Sequence, residues 1–111
     1  MSNTLPAQIK KLPKANIPLS GVAAYISQGE NHQILFMEFK EDVLVPEHSH
    51  GAQWGVVLSG KIELTVSGEL NIYAKGDQYY IPDGVIHTAK IFAGYSDISF
   101  FDEKDRYKIM A

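Results

Sequence analysis

The segment GDQYYIPDGVIH, residues 76–87, carries the pattern that decides the fold. Its GD and PDG steps predict turns on either side of QYYI, a short apolar run that predicts a strand. His87 then lies early in the next predicted strand, 85–92, and shares one face of it with Ala89 and Ile91. The segment is therefore typical of antiparallel strands joined by tight turns, with one imidazole among apolar neighbours.

The same pattern continues in both directions along the chain. No apolar stripe with helical spacing persists over three turns. Short apolar or alternating runs, divided by Gly, Pro, Asn and Asp, instead predict strands. They lie near residues 22–27, 33–39, 42–50, 53–59, 61–67, 70–74, 78–81, 85–92 and 96–101. Their number and spacing predict an all-β sandwich or barrel.

The two ends of the chain differ from its middle. Three prolines interrupt the N-terminal segment, which predicts an extended arm or an edge strand. The final DEKDRYKIMA allows either a turn or two of helix, with Asp102 as N-cap, or a solvated tail. We predict a single folded domain with three parts: an N-terminal arm at 1–18, a barrel at 19–102 and a C-terminal tail at 103–111.

The composition is that of a globular domain and argues against several kinds of protein. Of 111 residues, 45% are hydrophobic and 21% charged, with a net charge of −3. The basic residues are few, and the one arginine is Arg106, which argues against nucleic-acid binding. Because the first twenty residues hold no long apolar run, we expect a cytoplasmic protein with no membrane partner. Without cysteine, any metal must be held by nitrogen and oxygen.

A second group of polar residues lies in the segment PEHSHGAQW, residues 46–54. His48 and His50 are an i, i+2 pair, so on a strand they project from the same face. Leu44 and Pro46 have the same parity, which predicts that this face points into the barrel. Two imidazoles on one rigid strand can share one metal ion.

Taken singly, these residues have ordinary interpretations. A His-x-His pair arises often by chance, and an isolated buried histidine such as His87 is more often hydrogen-bonded than a metal ligand. Trp54 is more often a core or interface residue than part of a site. Gln53 opens the next predicted strand and can face the same interior point as the histidines. The combination carries the argument.

That combination resembles the cupin family. The second cupin motif has Gly, five residues, Pro-x-Gly, two residues, His, three residues and Asn. This chain matches it without a gap at Gly76, Pro82, Gly84 and His87, and Ile91 replaces the final Asn.

The first cupin motif is matched less completely. It has Gly, five residues, His-x-His, three or four residues, Glu, six residues and Gly. His48, His50 and the closing Gly60 match it. Gln53 replaces the glutamate after only two residues, and Asp42 stands where the opening glycine is expected.

The resemblance covers about residues 42–91 and implies a fold and a site. The fold is a single double-stranded β-helix, the jelly-roll cupin barrel, here with an extended N-terminal arm. By the same resemblance His48, His50 and His87 bind a divalent metal, and Gln53 is a fourth ligand through its amide oxygen. Such ligands suit Fe, Mn, Ni, Cu or Zn without choosing among them. Because all four are neutral, the cation's charge favours an anionic ligand.

Further residues are candidates for the pocket around the metal, with ordinary core packing as the alternative for each. Tyr80, or its neighbour Tyr79, is expected to bring a phenol to the mouth. The expected apolar lining residues are Met37, Val57, Ile91 and Phe100. Apart from the histidines, no ionisable residue has a strong claim to the interior, so no general base is evident.

Several functions remain open from the sequence. The first is a metal-dependent dioxygenase, isomerase, lyase or decarboxylase acting on a small anionic or hydroxy-carbonyl metabolite. The second is a non-catalytic module that binds or senses a small sugar or acid, and the third is a chiefly structural barrel. Small cupins usually pair through a sheet face, and the outward row Trp54, Val56 and Leu58 favours burial. We therefore predict a homodimer.

Overall fold

The computed structural model describes residues 5–110, and nearly all of its regular structure is β. The elements are α1 (Ala7–Lys10), β1 (Val22–Gln28), β2 (Gln33–Phe39), β3 (Val43–His48), β4 (Gln53–Ser59), β5 (Lys61–Val66), β6 (Glu69–Ala74), β7 (Gln78–Ile81), β8 (His87–Ile91) and β9 (Ser96–Phe101). All nine predicted strands are confirmed, with ends that differ by two residues at most. Within the described range no helix is long and apolar enough to cross a membrane.

The strands form two antiparallel sheets. The five-stranded sheet has the order β1-β2-β9-β4-β7, and the four-stranded sheet has the order β3-β8-β5-β6. Strands that follow one another in the chain mostly lie in different sheets, as in a jelly roll. The core contains apolar side chains from both sheets, including Ile26, Leu35, Val57, Ile62, Leu64 and Ile81. The predicted all-β jelly-roll barrel is confirmed.

The glycines of the two sequence motifs lie where the backbone needs them. The angle φ is +76° at Gly60, +90° at Gly76 and +74° at Gly84, a region that residues with a Cβ rarely adopt. Gly60, between β4 and β5, has a second constraint, because a Cβ there would lie 2.6 Å from the Cα of Tyr95. The spacing of these motifs therefore reflects turn geometry as well as chemistry.

The expected orientation of β3 is wrong in its first half. Leu44 is 73% exposed, while Val43 and Val45 pack on the core side. A β-bulge between Val45 and His48 shifts the register and breaks the simple alternation on which the prediction relied. The strand also ends at His48, so His50 lies in the following loop.

The chain ends pack against each other, so the C-terminal segment is neither a helix nor a free tail. Ala15 forms a β-bridge with Ile109, and the Asn16 amide donates to the Lys108 carbonyl at 2.7 Å. The Gln33 side chain is 1% exposed and bonds both the N–H and the C=O of one C-terminal residue, Tyr107.

The arm contains α1 in place of a fully extended segment. Its residues 1–4, and residue 111 of the tail, lie outside the described range. The division into arm, barrel and tail stays a prediction.

Candidate metal centre

Three histidines meet at one end of the barrel. His48 closes β3 and pairs in register with His87, the first residue of β8, while His50 comes from the loop after β3. Their ring centroids are 4.2 Å apart for His48 and His87, 4.7 Å for His50 and His87, and 5.2 Å for His48 and His50. One nitrogen from each ring lies within 4.8 Å of the other two. The predicted histidines are thus placed where they could hold one metal ion.

The backbone fixes the tautomer of each imidazole. Nδ1 of His48 lies 2.9 Å from the carbonyl two residues before it, and Nδ1 of His87 lies 3.0 Å from the equivalent carbonyl. Nδ1 of His50 lies 2.7 Å from the carbonyl of the next residue. Since a carbonyl only accepts, each Nδ1 carries the proton and donates it. Nε2 is therefore the nitrogen of each ring that is left to bind a metal, as in metal-ligating histidines whose other nitrogen is hydrogen-bonded.

Burial disfavours the charged form of two of these imidazoles, His50 and His87. Loss of solvent lowers the pKa of His50 to about 4 and also lowers the pKa of His87. The positive charge of Arg106 acts in the same direction on both rings, whereas the carbonyl hydrogen bonds oppose it. Both histidines are therefore neutral at pH 7. Neutral imidazoles with converging lone pairs fit a divalent cation of the Fe, Mn, Ni, Cu or Zn type.

Gln53, the predicted fourth ligand, lies in the wall of the same cavity and is 9% exposed. Its Nε2 donates to the Tyr79 hydroxyl at 3.3 Å and to Ser99 Oγ at 3.2 Å. Tyr79 donates its own hydroxyl proton to Asp97, so it can only accept from the amide. The orientation of the amide follows, and Oε1 is left for another partner.

The cavity between the sheets has a volume of about 530 Å³, within the usual range for small-molecule sites. Met37 and Ile91 line it, as expected from the sequence. Val57 is 1% exposed but belongs to the core and does not line the cavity. Tyr80 is 58% exposed and Phe100 stacks on His32, and neither lines the cavity.

Strand alternation explains these differences in the lining. On β7 the residue beside Tyr80 faces inward, so Tyr79 supplies the phenol. On β9 the apolar row that includes Phe100 faces away, and Ser99 and Phe101 turn inward. Their partners on β4 are residues of its inward row, and paired residues share a face of the sheet.

The same alternation brings in a residue that the sequence reading missed. Asp97 lines the cavity and is 2% exposed. Its Oδ2 accepts hydrogen bonds from Tyr95 at 2.6 Å and Tyr79 at 2.9 Å, while Oδ1 is buried with no partner among residues 5–110. Burial raises the pKa of Asp97 to about 6, against the lowering effect of the hydroxyl groups of Tyr95, Tyr79 and Ser99. The expectation that no ionisable side chain besides the histidines lies inside is thus corrected. An acidic residue inside an apolar strand was the available signal.

The C-terminal segment completes the cavity wall, which the sequence also did not indicate. Arg106 lines the cavity, with its guanidinium 4.3 Å from the centre of the Tyr107 ring. Its Nε is buried and has no hydrogen-bond partner within the described part of the chain. Glu103 accepts a hydrogen bond from the amide of Gly51 at 2.7 Å, which ties the segment to the loop that carries His50.

Comparison of the sequence with known proteins identifies one family and two partial relatives. The family model described as "Cupin domain" matches residues 35–94. Mannose-1-phosphate guanylyltransferase from Salmonella montevideo is 31% identical over 64 residues, which are 56% of this chain. The Salmonella typhimurium enzyme ManC is 33% identical over the same length. The chain spans only 14% and 13% of the length of these curated relatives.

Solved structures with the same fold are numerous and distant in sequence. An RmlC-like cupin from Shewanella frigidimarina has a TM-score of 0.73 at 19% identity, covering 86% of this chain and 87% of that one. KdgF from Halomonas sp. has a TM-score of 0.69 at 20% identity, covering 82% and 87%. A deletion mutant of oxalate decarboxylase from Bacillus subtilis has a TM-score of 0.74 at 19% identity, covering 92% of this chain and 30% of that one. At these identities the similarity establishes the fold alone. Oxalate decarboxylase carries Mn(II) centres.

Proposed function

Because the chain belongs to the cupin family, we propose that His48, His50 and His87 hold a divalent metal ion, which binds a small anionic metabolite in the cavity. The observation that carries this proposal is the convergence of the three imidazoles, whose ligand atoms lie within 4.8 Å of one another. Gln53 is proposed as a fourth ligand through Oε1, because its Nε2 is committed to other partners. The bound cation would act as a Lewis acid on an oxygen of the ligand.

The charges of the cavity support an anionic ligand. The proposed donors are neutral, so they leave the double positive charge of the cation uncompensated. Arg106 adds a second positive group to the wall, with no salt-bridge partner among the described residues. Oxalate decarboxylase, a structural neighbour with Mn(II) centres, acts on a small dicarboxylate. We therefore propose a carboxylate or hydroxy-carbonyl compound as the ligand class.

One observation favours an enzyme over a binding or sensing module. Turnover of a small oxygenated metabolite usually needs a group that takes up and returns a proton. Asp97 supplies such a group in the cavity wall, with a pKa raised by burial to about 6.

The substitution Gln53→Glu tests the charge argument. It adds one negative charge to the donor set, so acetate should bind the Co(II)-loaded protein about tenfold more weakly or worse, a difference of about 1.4 kcal/mol. Visible absorption of Co(II) during acetate titration measures this. Gln78→Glu is the matched control, because Gln78 is exposed on the outer side of the sheet, where its side chain accepts a hydrogen bond from Trp54. Unchanged or tighter acetate binding in Gln53→Glu would contradict the proposal.

The homodimer expected from the sequence is retained as a proposal. The outer face of the five-stranded sheet carries Trp54, 40% exposed, beside its cross-strand partner Tyr80, 58% exposed. Burial of these rings between two copies would remove apolar surface from water. Light scattering after size-exclusion chromatography at micromolar concentration should give twice the 12.3 kDa chain mass. A monomer mass would refute the dimer.

The cytoplasmic location likewise stays a prediction from the sequence.

A further inference from the structure

Asp97 is a buried carboxylate that the proposed metal site does not use. It lies in the middle of the five-stranded sheet, beside Met37 of β2 and Val57 of β4, which bring no charge. The titratable groups that face it are the phenols Tyr79 and Tyr95, together with the more distant Tyr107. No cation forms a salt bridge with it in the described part of the chain. Its charge is therefore stabilised only by hydrogen bonds.

Those hydrogen bonds satisfy one carboxylate oxygen of Asp97 and leave the other without a partner. Both phenols donate to Oδ2, at 2.6 Å from Tyr95 and 2.9 Å from Tyr79. Oδ1 is buried and unpartnered, which is unfavourable for a carboxylate and rare in folded proteins. Asp97 lines the cavity, and of its two oxygens Oδ1 is the one that could still accept a hydrogen bond from a molecule bound inside. Such a molecule must present a hydrogen-bond donor.

We propose that Oδ1 of Asp97 accepts a hydrogen bond from a hydroxyl group of the bound ligand, so that the cavity selects small hydroxy acids over simple carboxylic acids. This inference rests on the proposed function, because the metal ion and Arg106 are the groups that hold the ligand's carboxylate. A hydroxyl on the same ligand can then donate to Oδ1 of Asp97, a charged acceptor in the cavity wall. A simple acid leaves Oδ1 unpaired and forgoes this hydrogen bond, which involves a charged acceptor and is stronger than a neutral one.

Asp97→Asn changes the one atom that matters. The phenols can only donate to the side chain at Oδ2, so they should hold the amide oxygen of the variant there. The amide nitrogen then replaces Oδ1, and a donor stands where the ligand needs an acceptor. The bond between Tyr79 and Gln53 is kept, so the proposed metal ligand stays oriented.

The test compares glycolate with acetate, which differ by one hydroxyl, on Co(II)-loaded protein by visible absorption. The wild-type protein should prefer glycolate, and Asp97→Asn should lower that preference about tenfold while acetate affinity falls much less. Any chelation of the cation by the glycolate hydroxyl occurs in both proteins and cancels in the ratio. Asp105→Asn, which removes the same charge from an exposed position, should leave the ratio unchanged.

Methoxyacetate gives a test that needs no variant. Methoxyacetate has an ether oxygen in place of the glycolate hydroxyl, so it cannot donate a hydrogen bond there. The wild-type protein should therefore bind it about tenfold more weakly than glycolate. The proposed role of Asp97 would be overturned by an unchanged glycolate preference in Asp97→Asn, or by equal binding of glycolate and methoxyacetate. Either result would leave the proposed function standing. Failure of the metal-loaded wild-type protein to bind any of the three acids would overturn the proposed function instead.

Discussion

Replacing His50 with alanine should remove most of the metal from the protein. The substitution deletes one of three imidazoles and leaves two nitrogen ligands with Gln53, so the affinity should fall by at least about 100-fold, the upper range for loss of an outer partner of a ligand. Elemental analysis of wild-type and variant protein, purified side by side, measures the loss and identifies the ion. The metal content should fall from about one ion per chain to a small fraction of that.

His32→Ala is the matched control for this experiment. His32 is the remaining histidine of the chain; it is half-buried, stacks on Phe100 at 4.9 Å and does not line the cavity. Its removal should leave the metal content unchanged, which separates loss of a ligand from loss of any imidazole. Equal metal in wild-type and His50→Ala protein, with both folded by circular dichroism, would refute the three-histidine site.

Gly60→Ala should destabilise the fold by about 2–4 kcal/mol. The φ of +76° costs a residue with a Cβ roughly 1 kcal/mol or more. The new Cβ would also lie 2.6 Å from Cα and 2.8 Å from N of Tyr95, which are backbone atoms and cannot rotate away. Relief requires the turn between β4 and β5 to move away from the segment before β9, which adds roughly 1–3 kcal/mol. Urea denaturation measures the change in the free energy of unfolding.

Gly68→Ala separates the two contributions. Gly68 has a φ of +82°, close to that of Gly60, but a Cβ there meets nothing within 4 Å. This variant should therefore lose only the conformational cost, about 1 kcal/mol. If both variants lost the same free energy, close approach to Tyr95 would not be the reason for glycine at position 60.

The strands could be predicted because their signals are local. Turn residues with positive φ, such as Gly76 and Gly84, and the apolar runs between them act over a few residues. The same local pattern places His87 at the start of β8 and Gln53 at the start of β4. The three histidines were found because two short motifs recur at fixed spacing, and the structure brings them together.

The orientation of two strands could not be predicted in the same way. Alternation determines which residues share a face, but it does not determine which face points inward. In β3 the bulge before His48 exposes Leu44. In β9 the more apolar row, with Phe100, suggested the wrong inward face, and pairing with β4 turned Asp97 toward the cavity.

By itself the sequence determined the number of strands, the fold family and the histidines that can hold a metal, because turns, alternation and motif spacing are properties of short segments. Only the tertiary structure decided what surrounds those histidines. Asp97 is part of the cavity because of the register between β4 and β9, and Arg106 because the C-terminal segment pairs with the N-terminal arm. Both depend on contacts between residues far apart in the chain, and such contacts leave no local pattern to read.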